Sequence, residues 1–242
     1  MKENRVALVI GAGDATGGAI AKRFAQGGYI SCMTRRNAGK LAPLIAEIEA
    51  DGGRAFGFSS DARKEEQVIE LIEQIESTIG PIEVMIFNIG ANVPCSILEE
   101  TARKYFKIWE MATFSAFLNG REVAKRMVQR ERGTIIFTGA TAGLRGSAYF
   151  AAFAGAKHAL RALAQSMARE LGPRNIHVAH VVVDGAIDTE FIRSSFPAMY
   201  EKKDQDGILN PVHIAENYWH IAHQPRDAWT HEMDLRPWME QW

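Results

Sequence analysis

Cysteine is scarce in this sequence. There are two, Cys32 and Cys95, far apart and without metal-ligand spacing, which argues against a disulfide framework and for a reducing compartment. Excess charge of either sign is also missing: 28 Lys and Arg stand against 29 Asp and Glu, a formal net charge of −1. No electrostatic footprint for nucleic acid or an anionic membrane follows from that balance. Long hydrophobic runs are absent as well. The apolar stretch Val6–Ile10 follows Met1-Lys2-Glu3-Asn4-Arg5 directly and is too short for a signal-peptide core or a membrane span. The expectation is a cytoplasmic protein with no nucleic-acid and no membrane partner. Nor do the histidines assemble a metal site. His177 and His180, three apart on a strand, face opposite ways, and His220 and His223 share a helix face without a carboxylate at ligand spacing.

What is present is an alternation. Short β-branched runs at Val6–Ile10, Tyr29–Thr34, Arg54–Ser59, Val84–Asn88, Thr134–Thr138, His177–Val183 and Thr230–Leu235 interleave with helical patterns. The helical patterns are Thr16–Ala25, Lys40–Ala50, Glu65–Thr78, Arg103–Gln129, Phe150–Leu171 and Val212–His223. Such alternation implies βαβ units, and the near-continuous apolar strands imply helices on both faces of a parallel sheet. Gly27-Gly28, Gly52-Gly53, Gly80-Pro81 and Gly172-Pro173 stand where helices should stop. With no repeat, linker or low-complexity tract, 242 residues read as one α/β domain: a single Rossmann-type doubly wound parallel sheet of about seven strands.

After the first strand comes Gly11-Ala12-Gly13-Asp14-Ala15-Thr16-Gly17-Gly18, opening a helix. A pyrophosphate needs a tight turn, close backbone approach and free N–H groups at a positive helix end. Gly11, Gly13, Asp14, Ala15, Thr16 and Gly17 are therefore candidate cofactor-binding residues; the bland alternative is a mere strand–helix turn. The second strand ends in Thr34-Arg35-Arg36-Asn37. A site for NAD usually places a carboxylate there for the ribose 2′-hydroxyl. Two guanidiniums, Arg35 and Arg36, suit a 2′-phosphate instead, which favours NADP(H) over two merely solvated arginines.

These features, taken in order, resemble the short-chain dehydrogenase/reductase family along nearly the whole chain. Gly11 and Gly17 match its glycine loop, with Ala15 where the middle glycine usually stands. Asp61, followed by Ala62, matches the acid that contacts adenine. Phe87-Asn88-Ile89-Gly90 stands where the family has Asn-Asn-Ala-Gly, and Asp184-Gly185 with Ile187 and Thr189 matches the Pro-Gly…Thr segment at the nicotinamide. The resemblance implies that Asn88, Gly90, Lys157, Gly185, Ile187 and Thr189 contact the cofactor.

The family's chemistry uses a Ser, a Tyr, a Lys four residues after the Tyr, and an Asn. Only Lys157 matches. Phe153 holds the Tyr position, Ala140 the Ser position and Ala112 the Asn position. Phe153 has no proton to give and Ala140 no hydrogen bond to offer, so the usual carbonyl mechanism does not run unmodified. Losing a positioned acid costs roughly 10²–10⁴-fold and an oxyanion donor about 10²–10³-fold, non-additively.

Two other groups are candidate proton donors. Tyr149 shares the face of Phe153 one turn earlier if the helix includes it; otherwise it covers the helix mouth. Asp184, replacing a Pro at the ligand-binding edge of the sheet, is a carboxyl placed to be desolvated and to donate; otherwise it caps a turn. His158 points about 100° away from Lys157 around the helix. Phe114, Phe117 and Phe150 are read as core. Residues 190–210 form a short lid, whose Phe191, Phe196, Met199 and Tyr200 either wall an apolar pocket or pack as an amphipathic helix; Arg193 is a candidate for an anionic substrate group. The C-terminal Trp238, Met239 and Trp242 are expected to bury against a sister subunit, as the resemblance implies a homodimer or homotetramer. The expected function is an NADP(H)-dependent oxidoreductase for a small or medium apolar carbonyl, alcohol or activated alkene, using a non-standard proton donor. The alternatives are a catalytically silent NADP(H)-binding sensor or scaffold, and a structural subunit without cofactor.

Overall fold

The computed structural model describes residues 4–241. Its strands are β1 (Val6–Ile10), β2 (Ile30–Arg35), β3 (Arg54–Ser59), β4 (Ile82–Phe87), β5 (Gly133–Thr138), β6 (Ile176–Val183) and β7 (Glu232–Leu235). They form one sheet in the order β3-β2-β1-β4-β5-β6-β7, every neighbouring pair parallel. The helices are α1 (Thr16–Gln26), α2 (Ala42–Ala50), α3 (Glu65–Thr78), α4 (Ala102–Trp109), α5 (Ser115–Arg130), α6 (Ala151–Leu171), α7 (Glu190–Ser195), α8 (Pro197–Tyr200) and α9 (Pro211–Ala222).

Alternation along each strand makes two cores. On β1, Val6, Leu8 and Ile10 join Phe87, Phe137, Val68, Ile72 and Leu160 beneath α3, α5 and α6. Ala7 and Val9 instead meet Ile20, Phe24, Ile136, Val181 and Tyr218 beneath α1 and α9. All five residues of β1 are buried, as a strand covered on both faces requires. His177 and His180 face opposite ways as the strand period demands: His177 stacks on Trp229 at 4.8 Å, while His180 Nδ1 meets Glu232 at 2.9 Å.

The expected long helix Arg103–Gln129 is present as one unbroken helical run, Ala102 to Arg130, widened in its middle. Thr101 caps α4 by accepting from Lys104 N at 3.2 Å, and a π turn at Glu110–Phe114 then joins α4 to α5. Within it Thr113 Oγ1 turns away to donate to Ala156 O of α6 at 2.7 Å. The widened turn thus seats on α6, and it carries Ala112, which is fully buried. The sheet order reverses between β1 and β4, and the crevice outside the strand ends at such a switch point is where ligands bind.

Candidate active site

At that crevice the β1–α1 loop turns back on itself. Gly11 has φ +85°, a conformation that favours glycine. Gly17 is packed so closely that a Cβ there would sit 2.7 Å from Gly11 O. At Gly13 a Cβ would meet nothing within 4 Å, so this side of the loop faces open space. Helix α1 starts from Ala15 with no side-chain cap and no acid in its first turn, leaving its first N–H groups free toward an anion. Thr16 Oγ1 is buried without a partner. An uncapped helix end, an orphan hydroxyl and an open glycine are together what a pyrophosphate fits.

From this loop a cleft of about 600 Å³ runs over β4, β5 and β6. Asn88, whose Nδ2 donates to Gly11 O at 3.3 Å, closes one wall. Gly90, Ala140, Phe153, Lys157, Gly185, Ile187 and Thr189 line the rest. A second recess continues past Gly11 and Ile89 to Arg35, Arg36, Asp61 and Ala62. Arg36 is exposed, whereas Arg35 reaches Asp14 Oδ1 at 3.1 Å and Lys40 O at 3.4 Å. Asp61 is gripped by Arg63, at 2.8 Å and 2.6 Å, and these bonds hold its carboxyl below the usual carboxylate range. Arg63 carried no motif in the sequence, and only its place two residues after Asp61 hints at the clamp.

Lys157, at the cleft floor, is buried and donates to Thr138 O at 2.8 Å and Ile89 O at 3.3 Å. Burial pushes its pKa down to about 8. Phe153, one turn earlier on α6, is 8% exposed and turns its ring toward the ammonium. Ala140 ends the strand β5 region opposite them and, with Ala142 and Phe150, makes the wall apolar.

Several expected positions need correcting. Helix α6 begins at Ala151, and Tyr149 stands outside it at φ +69°, 63% exposed. It therefore does not share the face of Phe153 and is not part of the cleft wall, because Ser147 to Phe150 form a turn rather than a helical lead-in. Phe150 packs on the small core around Ala112, Ala152 and Phe153 and also lines the cleft. Phe114 is half-buried and packs on the core as expected, whereas Phe117 is exposed; both belong to a row, Phe106–Trp109–Phe114–Phe117, with successive rings 5.8, 5.9 and 6.2 Å apart. Of the segment from Thr189 onward only Thr189 itself reaches the cleft, where it caps α7 by accepting from Ile192 N at 3.1 Å. Phe191 and Phe196 pack edge to face at 5.8 Å on the outside, and Arg193 pairs with Glu190 at 2.6 Å.

Asp184 is 1% exposed. Its N–H is held by Leu235 O at 2.8 Å, Thr141 Oγ1 donates to its Oδ1, and Arg145 Nη2 stands 3.7 Å from the same oxygen. Its Oδ2 has no partner. Thr141, which sequence reasoning missed, lines the cleft; its one signal is adjacency to Ala140. The C-terminal segment docks on its own chain. Trp238 Nε1 donates to Gln205 O at 2.9 Å although the residue is 75% exposed, and Met239 Sδ lies against Gly207. Trp242 falls outside the described residues. Among the described residues no three His, Cys, Asp or Glu come together as a metal site, and no helix is long and apolar enough to cross a membrane.

Comparison with known proteins agrees with this geometry. The sequence profile described as short chain dehydrogenase matches residues 5–199. A crystal structure of a short-chain dehydrogenase from Rhodopseudomonas palustris is 48% identical, covering 98% of this chain and 100% of that one, with a TM-score of 0.84. A short-chain dehydrogenase/reductase of Armillaria gallica is 33% identical over 181 residues, 74% of this chain and 69% of its own length. A metagenomic short-chain oxidoreductase crystallised with NADP is 24% identical and superimposes with a TM-score of 0.84 over 98% of this chain and 99% of that one.

Proposed function

Because the chain belongs to the short-chain dehydrogenase family, whose members are oxidoreductases that bind nicotinamide cofactors, we propose that it uses NADP(H) to interconvert a small or medium apolar carbonyl and its alcohol, or to reduce an activated alkene. What supports this reading is a cleft whose one end has the features a pyrophosphate fits and whose other wall has no proton donor at Phe153 or Ala140. The uncapped start of α1, the orphan Thr16 hydroxyl, Asn88, Gly90 and buried Lys157 all border it. Arg35 and Arg36 at the far recess are the groups that would hold a 2′-phosphate, and the fold is that of a relative crystallised with NADP.

When bound, the nicotinamide supplies or accepts hydride. The protein's part is positional. Gly13 would leave room for the pyrophosphate, Lys157 at the cleft floor would help hold the ribose, and Gly185, Ile187 and Thr189 would bound the far wall. Ala140, Ala142, Phe150 and Phe153 offer a substrate an apolar wall. The proton comes from a donor other than Phe153, and Asp184 is the candidate that remains beside the cleft. Residues 190–210 act as the lid. The aromatic row on α4 and α5 and exposed Trp238 are the surfaces for a homodimer or homotetramer. Free Cys32 and Cys95 suit a cytoplasmic setting.

A second reading, a catalytically silent NADP(H)-binding sensor, draws on Phe153, Ala140 and Ala112 standing where the family has its Tyr, Ser and Asn. One experiment separates them. NADPH and NADH are titrated by fluorescence, and turnover of a carbonyl and alkene panel is measured for wild type and Phe153→Tyr/Ala140→Ser. Tight NADPH binding with wild-type turnover supports the enzyme; activity found in the double variant alone supports the sensor.

A further inference from the structure

The wall of the cleft between β6 and α7 is one chain thick. Gly185, Ile187 and Thr189 line the cleft. The residues between them are held from outside by backbone hydrogen bonds. Asp184 N–H donates to Leu235 O, Leu209 N–H to Ala186 O and Asp188 N–H to Leu209 O, each at 2.8 Å. Behind Gly185 stands the C-terminal tail: a Cβ at this glycine would lie 2.8 Å from Pro237 Cδ and 3.4 Å from Glu240 Oε2. The same tail reaches the far end of the lid. There Trp238 Nε1 donates to Gln205 O, and Met239 Sδ would lie 2.9 Å from a Cβ at Gly207.

Arg145 ties this tail to a second part of the cleft lining. It belongs to the turn after Ala140, where its own N–H donates to Thr141 O at 3.1 Å. Its Nη2 donates to Gln241 O at 3.5 Å and stands 3.7 Å from Asp184 Oδ1, the oxygen that also accepts the Thr141 hydroxyl. One guanidinium thus meets three segments: the Thr141 turn, the Asp184 turn and the tail. A buried carboxylate that gathers a hydroxyl and a cation is a fixed point for the segments around it.

Resting on the reading of the cleft as a nicotinamide-cofactor site, we propose that Arg145 and the tail, residues 237–241, brace the wall formed by residues 185–189, and that Arg145 is a positioning residue for the nicotinamide end. The wall has no helix or strand of its own, so its place is set by what packs outside it. Without the brace the wall moves, and a cofactor must order it on binding, which costs affinity. The adenine end is spared, because no residue of the brace lines the second recess around Arg35, Arg36 and Asp61. The role needs no proton from Asp184, which acts as an acceptor.

The test measures binding and needs no substrate. Wild type, Arg145→Met, Arg145→Lys and a chain ending at Arg236 are titrated calorimetrically with NADPH and with adenosine 2′-phosphate, which carries the adenine end alone. Urea unfolding checks that each variant is folded. Arg145→Met should weaken NADPH by about fivefold, the upper worth of a part-exposed ion pair, and Arg145→Lys should recover most of the loss. The shortened chain should weaken NADPH by about tenfold or more, because the ligand must then order the freed wall. Adenosine 2′-phosphate, bound away from the brace, should stay within about twofold throughout. Equal loss of both ligands overturns the positioning role, since a loosened fold weakens every part of the site alike. Unchanged NADPH affinity in the shortened chain overturns the brace and leaves the cofactor reading standing. No binding of NADPH by wild type overturns the cofactor reading, and the brace with it.

Discussion

Lys157 Nζ lies 5.9 Å from the centre of the Phe153 ring, one helical turn away on α6. The ammonium is anchored from behind by Thr138 O and Ile89 O, so it does not depend on its ring neighbour for position. That arrangement separates two jobs that the resemblance ties together. The position of Lys157 is thus independent of whether the residue one turn before it carries a proton.

Phe153→Tyr with Ala140→Ser should therefore supply a proton route at this wall without moving Lys157. A phenol beside an ammonium has its ionised form favoured, and the serine adds a donor at the substrate oxygen. Steady-state NADPH oxidation should rise by about 10-fold or more in kcat, with NADPH affinity changed less than about threefold. No gain, in a variant that still binds NADPH, would mean that this ring does not face the reacting carbonyl.

The Lys157 ammonium, lowered to about 8 by burial, should make cofactor binding pH-dependent from the alkaline side. Below that value the charged form offers all three N–H donors, and above it one is lost. NADPH affinity should be level below pH 8 and fall above it, by at most tenfold per pH unit. Lys157→Met should bind weakly and show no such bend. Stability runs the other way. Between about 8 and the ordinary lysine value of 10.5 the unfolded chain holds the extra proton, so the unliganded protein gains stability as pH rises through that window. Both trends are read from fluorescence titrations and urea unfolding at matched pH.

The sheet was legible because strand patterning is local. Val6–Ile10 and Glu65–Thr78 follow directly from a buried run and a 3.6-residue stripe through Val68, Leu71, Ile72 and Ile75. The residues that line the two recesses around Gly11 were legible for a similar reason: the glycine loop and Arg35-Arg36 are each short contiguous segments that follow a strand. What escaped are features made by tertiary contact. One extra residue in the Glu110–Phe114 turn leaves no mark on periodicity, since it is stabilised by Thr113 reaching α6. Thr141 and Asp184 are 43 residues apart and meet only because β5 and β6 pair in register. Tyr149 was misplaced because a positive φ is invisible in a residue type that seldom adopts it.

The glycine loop offers a contrast between two substitutions. At Gly17 a Cβ would lie 2.7 Å from Gly11 O and 2.9 Å from Ala12 Cα, both backbone atoms that cannot step aside. Gly17→Ala should cost roughly 1–3 kcal/mol in urea unfolding and weaken NADPH binding. At Gly13 a Cβ meets nothing within 4 Å. Gly13→Ala should leave stability within about 0.5 kcal/mol yet reduce NADPH affinity, because the methyl enters space the pyrophosphate needs. Equal binding by both would show that the phosphates lie elsewhere.

Cofactor choice turns on a competition at the second recess. Arg35 Nη1 pairs with Asp14 Oδ1 at 3.1 Å, with the Asp14 side chain 91% exposed. Exposed pairs of this kind are worth about 0–1 kcal/mol, so a 2′-phosphate can take Arg35 from Asp14 at small cost. Asp14→Asn removes both the competitor and a like charge near the phosphates. It should tighten NADPH by up to about fivefold and NADH by less. Arg36 shares its recess with Asp61, which feels its charge but is held by Arg63, and a charged hydrogen bond contributes roughly 1.5–3 kcal/mol. Arg36→Ala should weaken NADPH by about 10- to 100-fold and leave NADH within about twofold. The decisive quantity is the ratio of the two dissociation constants in each variant. A ratio that stays fixed while both affinities change would show that these arginines meet solvent and not a 2′-phosphate.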